Sequence, residues 1–394
     1  MNTVSWTRLL REYGDQLLLW MNENSILESR AQSLVTALRH LLFQTVETPE
    51  AAAVVWKAAP AVLTRCNEQS TCELPFAPIA YMWLHLLDRY ARTWRALEVL
   101  VQNRCLPLAK YGVRTLDVGT GPGPAAFAVH DFYQALVEFS VATGLEEFNQ
   151  PPEIDCVEYD KGTNHLRHHL AELVYEAAAE ADHTSVLGLC RAQPDFHTVL
   201  PSQDRIAAFE SIQRQEDRYF DEFLGEWVED PRYSIEEANQ IAQSLYRYRL
   251  FVFSNFLTTV GTVTTFEANI TDLLNDAGLG SIMLVLGGKR GEYPAIYEYV
   301  DQLADSCGFT RRVEDVTVSS TETVLSDLIY EEGQRFYKHL QSLSPNRDEI
   351  LEDVHQHFGG SRSPAPTSGV RAYRKNNHRA AAFHHRLPAI HDTH

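Results

Sequence analysis

Paired cysteines, long apolar runs and positive charge are all scarce in this chain. Its six cysteines are Cys66, Cys72, Cys105, Cys156, Cys190 and Cys307. No two form a CxxC pair, and none joins histidines at zinc-finger spacing, so neither a structural metal nor a disulfide framework is expected to organise the fold. They are expected to be reduced, mostly buried thiols of a cytoplasmic protein. No run of about 18 apolar residues occurs, so no segment is expected to span a membrane. The opening Met1-Asn2-Thr3-Val4-Ser5-Trp6 lacks a basic stretch followed by an apolar one, so no secretion signal is expected. Lys and Arg number 34 against 53 Asp and Glu, a formal net charge of −19. An acidic body repels phosphate backbones unless a local basic patch overrides it, which counts against a nucleic-acid partner.

What is present suffices for a conventional core. The 394 residues are 44% hydrophobic and 22% charged, which allows about two domains. Residues 1–110 read as a helical domain. Helical stripes run through Trp6–Met21 (Leu9, Leu10, Leu17, Trp20) and Ile26–Val46 (Leu27, Leu34, Leu38, Leu42). Ala51–Leu63 holds Trp56, and Pro75–Leu106 carries Tyr81, Trp83, Leu86, Tyr90, Trp94 and Leu97. That spacing assigns the aromatics to packing, with the wall of a substrate pocket as the alternative.

Over residues 111–345 the pattern changes to strand–turn–helix units. Strands are predicted at Val113–Val118, Glu153–Tyr159, Ser185–Cys190, Arg249–Ser254 and Ser281–Leu286. Helices are predicted at Pro124–Ala142, Asn164–Ala179, Phe266–Asn275 and Pro294–Cys307. This alternation predicts an α/β fold with a doubly wound, mostly parallel, Rossmann-like sheet. Residues 201–247, charged around Asp217-Arg218-Tyr219-Phe220-Asp221-Glu222-Phe223, read as a helical insertion, either a solvated element or a lid. Residues 346–394 finish a helix and enter the linker-like Gly359-Gly360-Ser361-Arg362-Ser363-Pro364-Ala365-Pro366. A basic, His-rich stretch follows (Arg371, Arg374, Lys375, His378, Arg379, His384, His385, Arg386) and is expected to be a flexible tail.

The stretch that carries chemistry is Thr115-Leu116-Asp117-Val118-Gly119-Thr120-Gly121-Pro122-Gly123-Pro124. It leaves a strand and opens a helix. Its three glycines keep side chains out from between turn and ligand, and Pro124 suits a first helical turn. A dinucleotide calls for GxGxxG, with its diphosphate on the helix N-terminus. Here the third glycine comes one position early, and Asp117 precedes the first. A carboxylate there suits a cationic ligand and opposes a diphosphate. The pattern favours S-adenosylmethionine, which combines an amino-acid end with a sulfonium.

On these residues the chain resembles the class I S-adenosylmethionine-dependent methyltransferases, whose first motif is an acidic residue followed by GxGxG. The resemblance implies that Gly119, Thr120, Gly121 and Gly123 wrap the amino-acid portion of S-adenosyl-L-methionine and that Asp117 helps anchor it. It implies an acid at the end of the second strand for the ribose hydroxyls; Glu158 fits, since a carboxylate accepts two hydroxyl hydrogen bonds. Asp160 is the competing acid. Glu158 follows Gly123 by 35 residues, against ~20 in a compact dinucleotide unit. Tyr159 would lie near the adenine, as would Asp195 and Phe196 after the third strand, where a plain loop is the equal alternative.

Ligands of open α/β sheets sit beyond the carboxyl ends of the strands, which places Ser254, Asn255 and Phe256 beside the reacting methyl. The sequence departs there from the Asn/Asp-Pro-Pro-aromatic motif of amino-methyltransferases acting on nucleobases or glutamine. Gly287-Gly288-Lys289-Arg290-Gly291 is not a GxxxxGK[ST] phosphate loop and reads as a flexible loop near the pocket mouth. No general base stands out: His130 and His165 are within the domain, and Cys156 lies inside a strand.

The reaction this implies is in-line methyl transfer to a small molecule or protein. Two alternatives remain open. Tyr90-Ala91-Arg92-Thr93-Trp94-Arg95-Ala96-Leu97 resembles the segment preceding the domain in small-ribosomal-subunit methyltransferase-like assembly factors, whose cysteine cluster is absent here. A non-catalytic cofactor-binding module would use the same fold. The helical N-terminal region is a candidate homodimer surface.

Overall fold

The computed structural model describes residues 6–65, 69–109, 112–145, 152–158, 160–180, 190–193, 218–221, 226–229, 247–346, 351–359 and 367–376. Six helices come first: α1 (Trp6–Glu23), α2 (Ile26–Thr45), α3 (Pro49–Arg65), the single turns α4 (Gln69–Cys72) and α5 (Ala77–Tyr81), and α6 (Leu87–Gln102). A π-helical turn, Met82–Leu86, joins α5 to α6. The long helix expected over Pro75–Leu106 is therefore one rod with a widened turn inside it. Trp56, Tyr90 and Trp94 are at most 1% exposed, so these aromatics pack.

Strands and helices then alternate: β1 (Arg114–Val118), α7 (Pro124–Thr143), β2 (Glu153–Val157), α8 (Lys161–Glu180) and β3 (Cys190–Gln193). After the short strands β4 (Arg218–Asp221) and β5 (Glu226–Glu229) come β6 (Leu250–Ser254), α9 (Val260–Asp276), β7 (Ile282–Gly287), α10 (Tyr293–Ser306) and β8 (Phe309–Ser319). The chain ends, as described, with α11 (Ser326–Leu343), α12 (Glu352–Gly359) and β9 (Thr367–Lys375).

The main sheet has seven strands in the order β3-β2-β1-β6-β7-β9-β8. The first five are mutually parallel, and β9 runs antiparallel to both β7 and β8. This is a doubly wound, Rossmann-like sheet. Both faces are covered, which is why its strands read as unbroken apolar runs. Leu250 and Val252 face a core shared with α1–α8, whereas Phe251 and Phe253 face a second core with α9 and α10. The chain winds outward one way through β1, β2 and β3 and the other way through β6 and β7, so the crevice between β1 and β6 is where ligands of such sheets bind.

Three expectations are corrected. The stretch beyond Gly359 is not wholly a flexible tail: Thr367–Lys375 forms β9, inside the sheet. Its basic residues hid the alternation. Val370 and Ala372 are buried on one face and Tyr373 on the other, while Arg371 meets Asp301 at 2.8 Å and Lys375 caps two helix ends. Its remaining basic and histidine residues from His378 lie outside the described residues. Within 201–247, Arg218–Asp221 and Glu226–Glu229 form an antiparallel pair where helix was expected; Tyr219, Phe220, Trp227 and Val228 supply the aromatic and β-branched residues that favour strands. Finally, Gly287 belongs to β7 and not to the loop, and the Tyr293 ring fills the space beside Gly287 and Gly288, where an added β-carbon would lie 2.4 Å from it. The third strand is found at Cys190–Gln193; residues 185–189 of the predicted one lie outside the described residues. Among the described residues, no helix is long and apolar enough to cross a membrane.

Candidate functional site

The crevice is built on the turn that leaves β1. Gly119, Gly121 and Gly123 have φ of 68°, 55° and 96°, the left-handed region in which a β-carbon is strained. Val157 at the end of β2 accepts from both Gly119 N–H and Thr120 N–H at 3.0 Å. The Thr120 hydroxyl donates to the Asp117 carbonyl at 2.8 Å, and Gly123 leads into α7 with Pro124 in its first turn. The turn is thus fixed by its own backbone before any ligand arrives.

The glycines differ in what faces them. A β-carbon on Gly119 would lie 2.5 Å from the Phe256 ring, so β6 closes that side. On Gly123 it would meet the Arg167 stem at 3.1 Å and the Phe127 ring at 3.2 Å. Nothing lies within 4 Å at Gly121. The open part of the cradle is therefore its middle.

Two carboxylates flank that opening. Asp117 is 1% exposed, and neither of its carboxylate oxygens has a hydrogen-bond partner among the described residues. Burial raises its pKa to about 7; nearby Thr120, Arg167 and the Ala126 amide offset this only in part. Glu158 accepts from Gly121 N–H at 2.9 Å and from Asp160 N–H at 3.0 Å. Burial raises its pKa as well, against those two amides and Arg167. The competing acid, Asp160, accepts from Thr163 N–H at 2.6 Å. It caps the first turn of α8, while Glu158 turns toward the glycines.

Strand β6 supplies the opposite wall. Ser254 is buried, and Asn255 adopts φ 54°, an uncommon conformation for a residue other than glycine. Its N–H donates to Leu286 at 2.8 Å, holding the bend to β7. Phe256 stacks toward Phe266 with ring centroids 5.2 Å apart. The structure thus brings Asp117, Gly119, Thr120, Gly121, Gly123, Glu158, Ser254, Asn255 and Phe256 to one end of the sheet. Tyr159, Asp195 and Phe196 lie outside the described residues. His130 is 1% exposed and sits 3.1 Å from Asp131, His165 is exposed and Cys156 is fully buried; none is placed as a base.

Sequence reading missed Arg167. Residues Thr163, Arg167, Leu170, Val174 and Ala178 of α8 are all buried. That is the i, i+4, i+7 spacing of a core-facing stripe, so a cation within it was the available signal.

No family model and no curated protein matches this chain. Solved structures overlap it shallowly. The YcgJ protein from Bacillus subtilis is 10% identical, with a TM-score of 0.32, covering 72% of this chain and 99% of that one. The [4+2]-cyclase SpnF is 12% identical, TM-score 0.34, covering 72% and 81%. The phosphoethanolamine N-methyltransferase 2 of Haemonchus contortus, in complex with phosphomonomethylethanolamine and S-adenosylhomocysteine, is 14% identical, TM-score 0.33, covering 81% and 60%. Overlaps this shallow carry no argument about activity, and the names themselves span more than one reaction.

Proposed function

We propose that this chain binds S-adenosylmethionine in the β1–β6 crevice and transfers its methyl group to a small-molecule or protein acceptor. The observation that supports this most directly is an open, side-chain-free turn at Gly121 set between the buried carboxylate of Asp117 and the half-buried one of Glu158. A diphosphate would meet two like charges there, whereas a ligand with an ammonium, a sulfonium and ribose hydroxyls meets complementary groups. The orphaned oxygens of Asp117 are the test of fit, because a buried carboxylate without partners is costly until a cation or donor reaches it.

When bound, S-adenosylmethionine supplies an electrophilic methyl on a sulfonium. The chain's part is to hold and orient. Asp117 attracts the cationic end, Gly121 admits the ligand's backbone-like portion, and the Glu158 carboxylate, which can accept several hydrogen bonds, is assigned to the ribose hydroxyls. Tyr159, Asp195 and Phe196 are assigned to the adenine side in this reading. Asn255 and Phe256 face the acceptor, which approaches over the end of β6. Gating of water and alignment of the two reactants account for most of the rate in such a displacement. Residues 111–345 are assigned to the cofactor-binding unit, together with β9, and residues 1–110 to the helical unit beside it.

Calorimetry with S-adenosylmethionine against NAD tests this reading. Binding of the first and not the second is expected; the reverse, or neither, refutes it. Tritiated-methyl incorporation into lysate fractions then separates an enzyme from a cofactor-binding scaffold.

A further inference from the structure

Arg167 is buried beside the glycine turn with no counter-ion in contact among the described residues. It is 4% exposed. Its Cγ and Cδ lie against Gly123, at the N-terminus of α7. Its Nη1 is shielded from solvent and has no hydrogen-bond partner among the described residues. A buried guanidinium nitrogen without an acceptor is costly, so Nη1 is a position that an acceptor would stabilise. Asp117, beside the same turn, is 1% exposed, and neither of its oxygens makes a well-formed hydrogen bond among the described residues. The positive charge of Arg167 is felt at both Asp117 and Glu158, yet it forms an ion pair with neither. Two opposite charges thus lie beside one glycine turn and influence each other without forming an ion pair.

A group that satisfies both must carry an anion and a cation a few ångströms apart. A free amino-acid head group, with its carboxylate and ammonium on one carbon, has that form. The Arg167 stem lies at the N-terminus of α7, whose positive dipole end also favours an anionic group there. We infer that Arg167 anchors the α-carboxylate, and Asp117 the α-ammonium, of an amino-acid head group held over Gly121. This rests on the proposed cofactor, whose methionine portion is such a group, and it assigns the carboxylate to a residue outside the glycine motif.

The competing account is a water bridge between Arg167 and Asp117, with Arg167 purely structural. Calorimetry on the full chain separates the two, using S-adenosylhomocysteine, decarboxylated S-adenosylmethionine and 5′-methylthioadenosine, which retains neither charged group. For Arg167→Met, the affinity for S-adenosylhomocysteine is expected to fall about 10- to 100-fold, the range of a lost charge-assisted hydrogen bond. The affinities for the other two ligands are expected to stay within about twofold, because neither has the carboxylate. Arg167→Lys should recover part of the loss. Equal weakening for all three ligands, or no weakening for any, overturns the inference. If Arg167→Met fails to fold, the wild-type chain still decides: decarboxylated and carboxylated S-adenosylmethionine binding equally well also overturns it. Failure of every adenosyl ligand to bind the wild-type chain instead removes the cofactor reading itself, and this inference with it. Binding of the adenosyl ligands with no discrimination between carboxylated and decarboxylated forms removes this inference alone.

Discussion

At the scale of single residues, Asp117 couples the site to pH. Its folded-state pKa of about 7 lies above the ordinary carboxylate value of 3.8. The folded chain therefore binds this proton more tightly than the unfolded chain does. Its contribution to stability is complete below about pH 4 and is lost as pH rises through 7. In urea titrations the wild-type chain should lose stability between pH 5 and pH 8 relative to Asp117→Asn, which lacks this proton. Ligand binding runs the other way. An ammonium favours ionised Asp117, so between pH 5.5 and 7 affinity should rise by as much as about tenfold per pH unit, and the slope should vanish in Asp117→Asn. Calorimetry across that range checks it. A pH-independent affinity in the wild-type chain would show that the carboxylate does not meet the ligand's cation. Gly121 makes a second expectation. Gly121→Arg forces a side chain into φ 55°, a strain of about 1–2 kcal/mol, and should abolish S-adenosylmethionine binding while the chain still melts cooperatively. Retained binding would displace the site from this turn.

Elements divide into those whose sequence announces them and those whose sequence conceals them. The glycine turn and the strands β1, β6 and β7 were legible because local chemistry and burial on both faces act on the same few residues. Glu158 and Asp160 were not separable, because two acids two positions apart look alike until one is seen capping a helix. The structure turns that ambiguity into a test. Asp160→Ala should cost about 1 kcal/mol of stability, the ordinary loss of an N-cap, with little effect on ligand affinity. Glu158→Ala should weaken S-adenosylmethionine by about tenfold or more, as loss of hydrogen bonds to a charged group does. Parallel unfolding and calorimetry distinguish them, and an exchange of the two outcomes would reverse the assignments. Strand β9 was concealed by Arg371, Arg374 and Lys375. Lys375 is 1% exposed and donates to Leu274 O at 2.8 Å and Cys307 O at 2.6 Å, the carbonyl ends of α9 and α10. A single ammonium thus closes two helices. Lys375→Met, which keeps the stem but leaves two buried carbonyls unmet, should cost about 2–4 kcal/mol in urea unfolding. A neutral result would mean that those carbonyls find other donors.

For the whole molecule, β1 and β6 flank the site, and the last strand joins β8 to the parallel strands at the far edge of the sheet. Helices α1–α8 share a core with one face, and α9 and α10 cover the other, so the β1–β6 crevice is held from both sides. No sequence pattern specified how the N-terminal helices meet the helices that cover the sheet, because that packing depends on contacts far apart in the chain, such as Tyr90 with Asp131 at 2.9 Å and Trp83 with Gly333 at 2.9 Å. The strand order β7-β9-β8 has a further consequence for biosynthesis. While the polypeptide is still emerging from the ribosome, β7 and β8 have no neighbour between them until Thr367–Lys375 appears, and β7 offers its free backbone to any other extended segment. Two of the seven strands, β8 and β9, thus join the sheet only once residues 367–375 have been made, and the nascent protein is open to mispairing and chaperone capture until then.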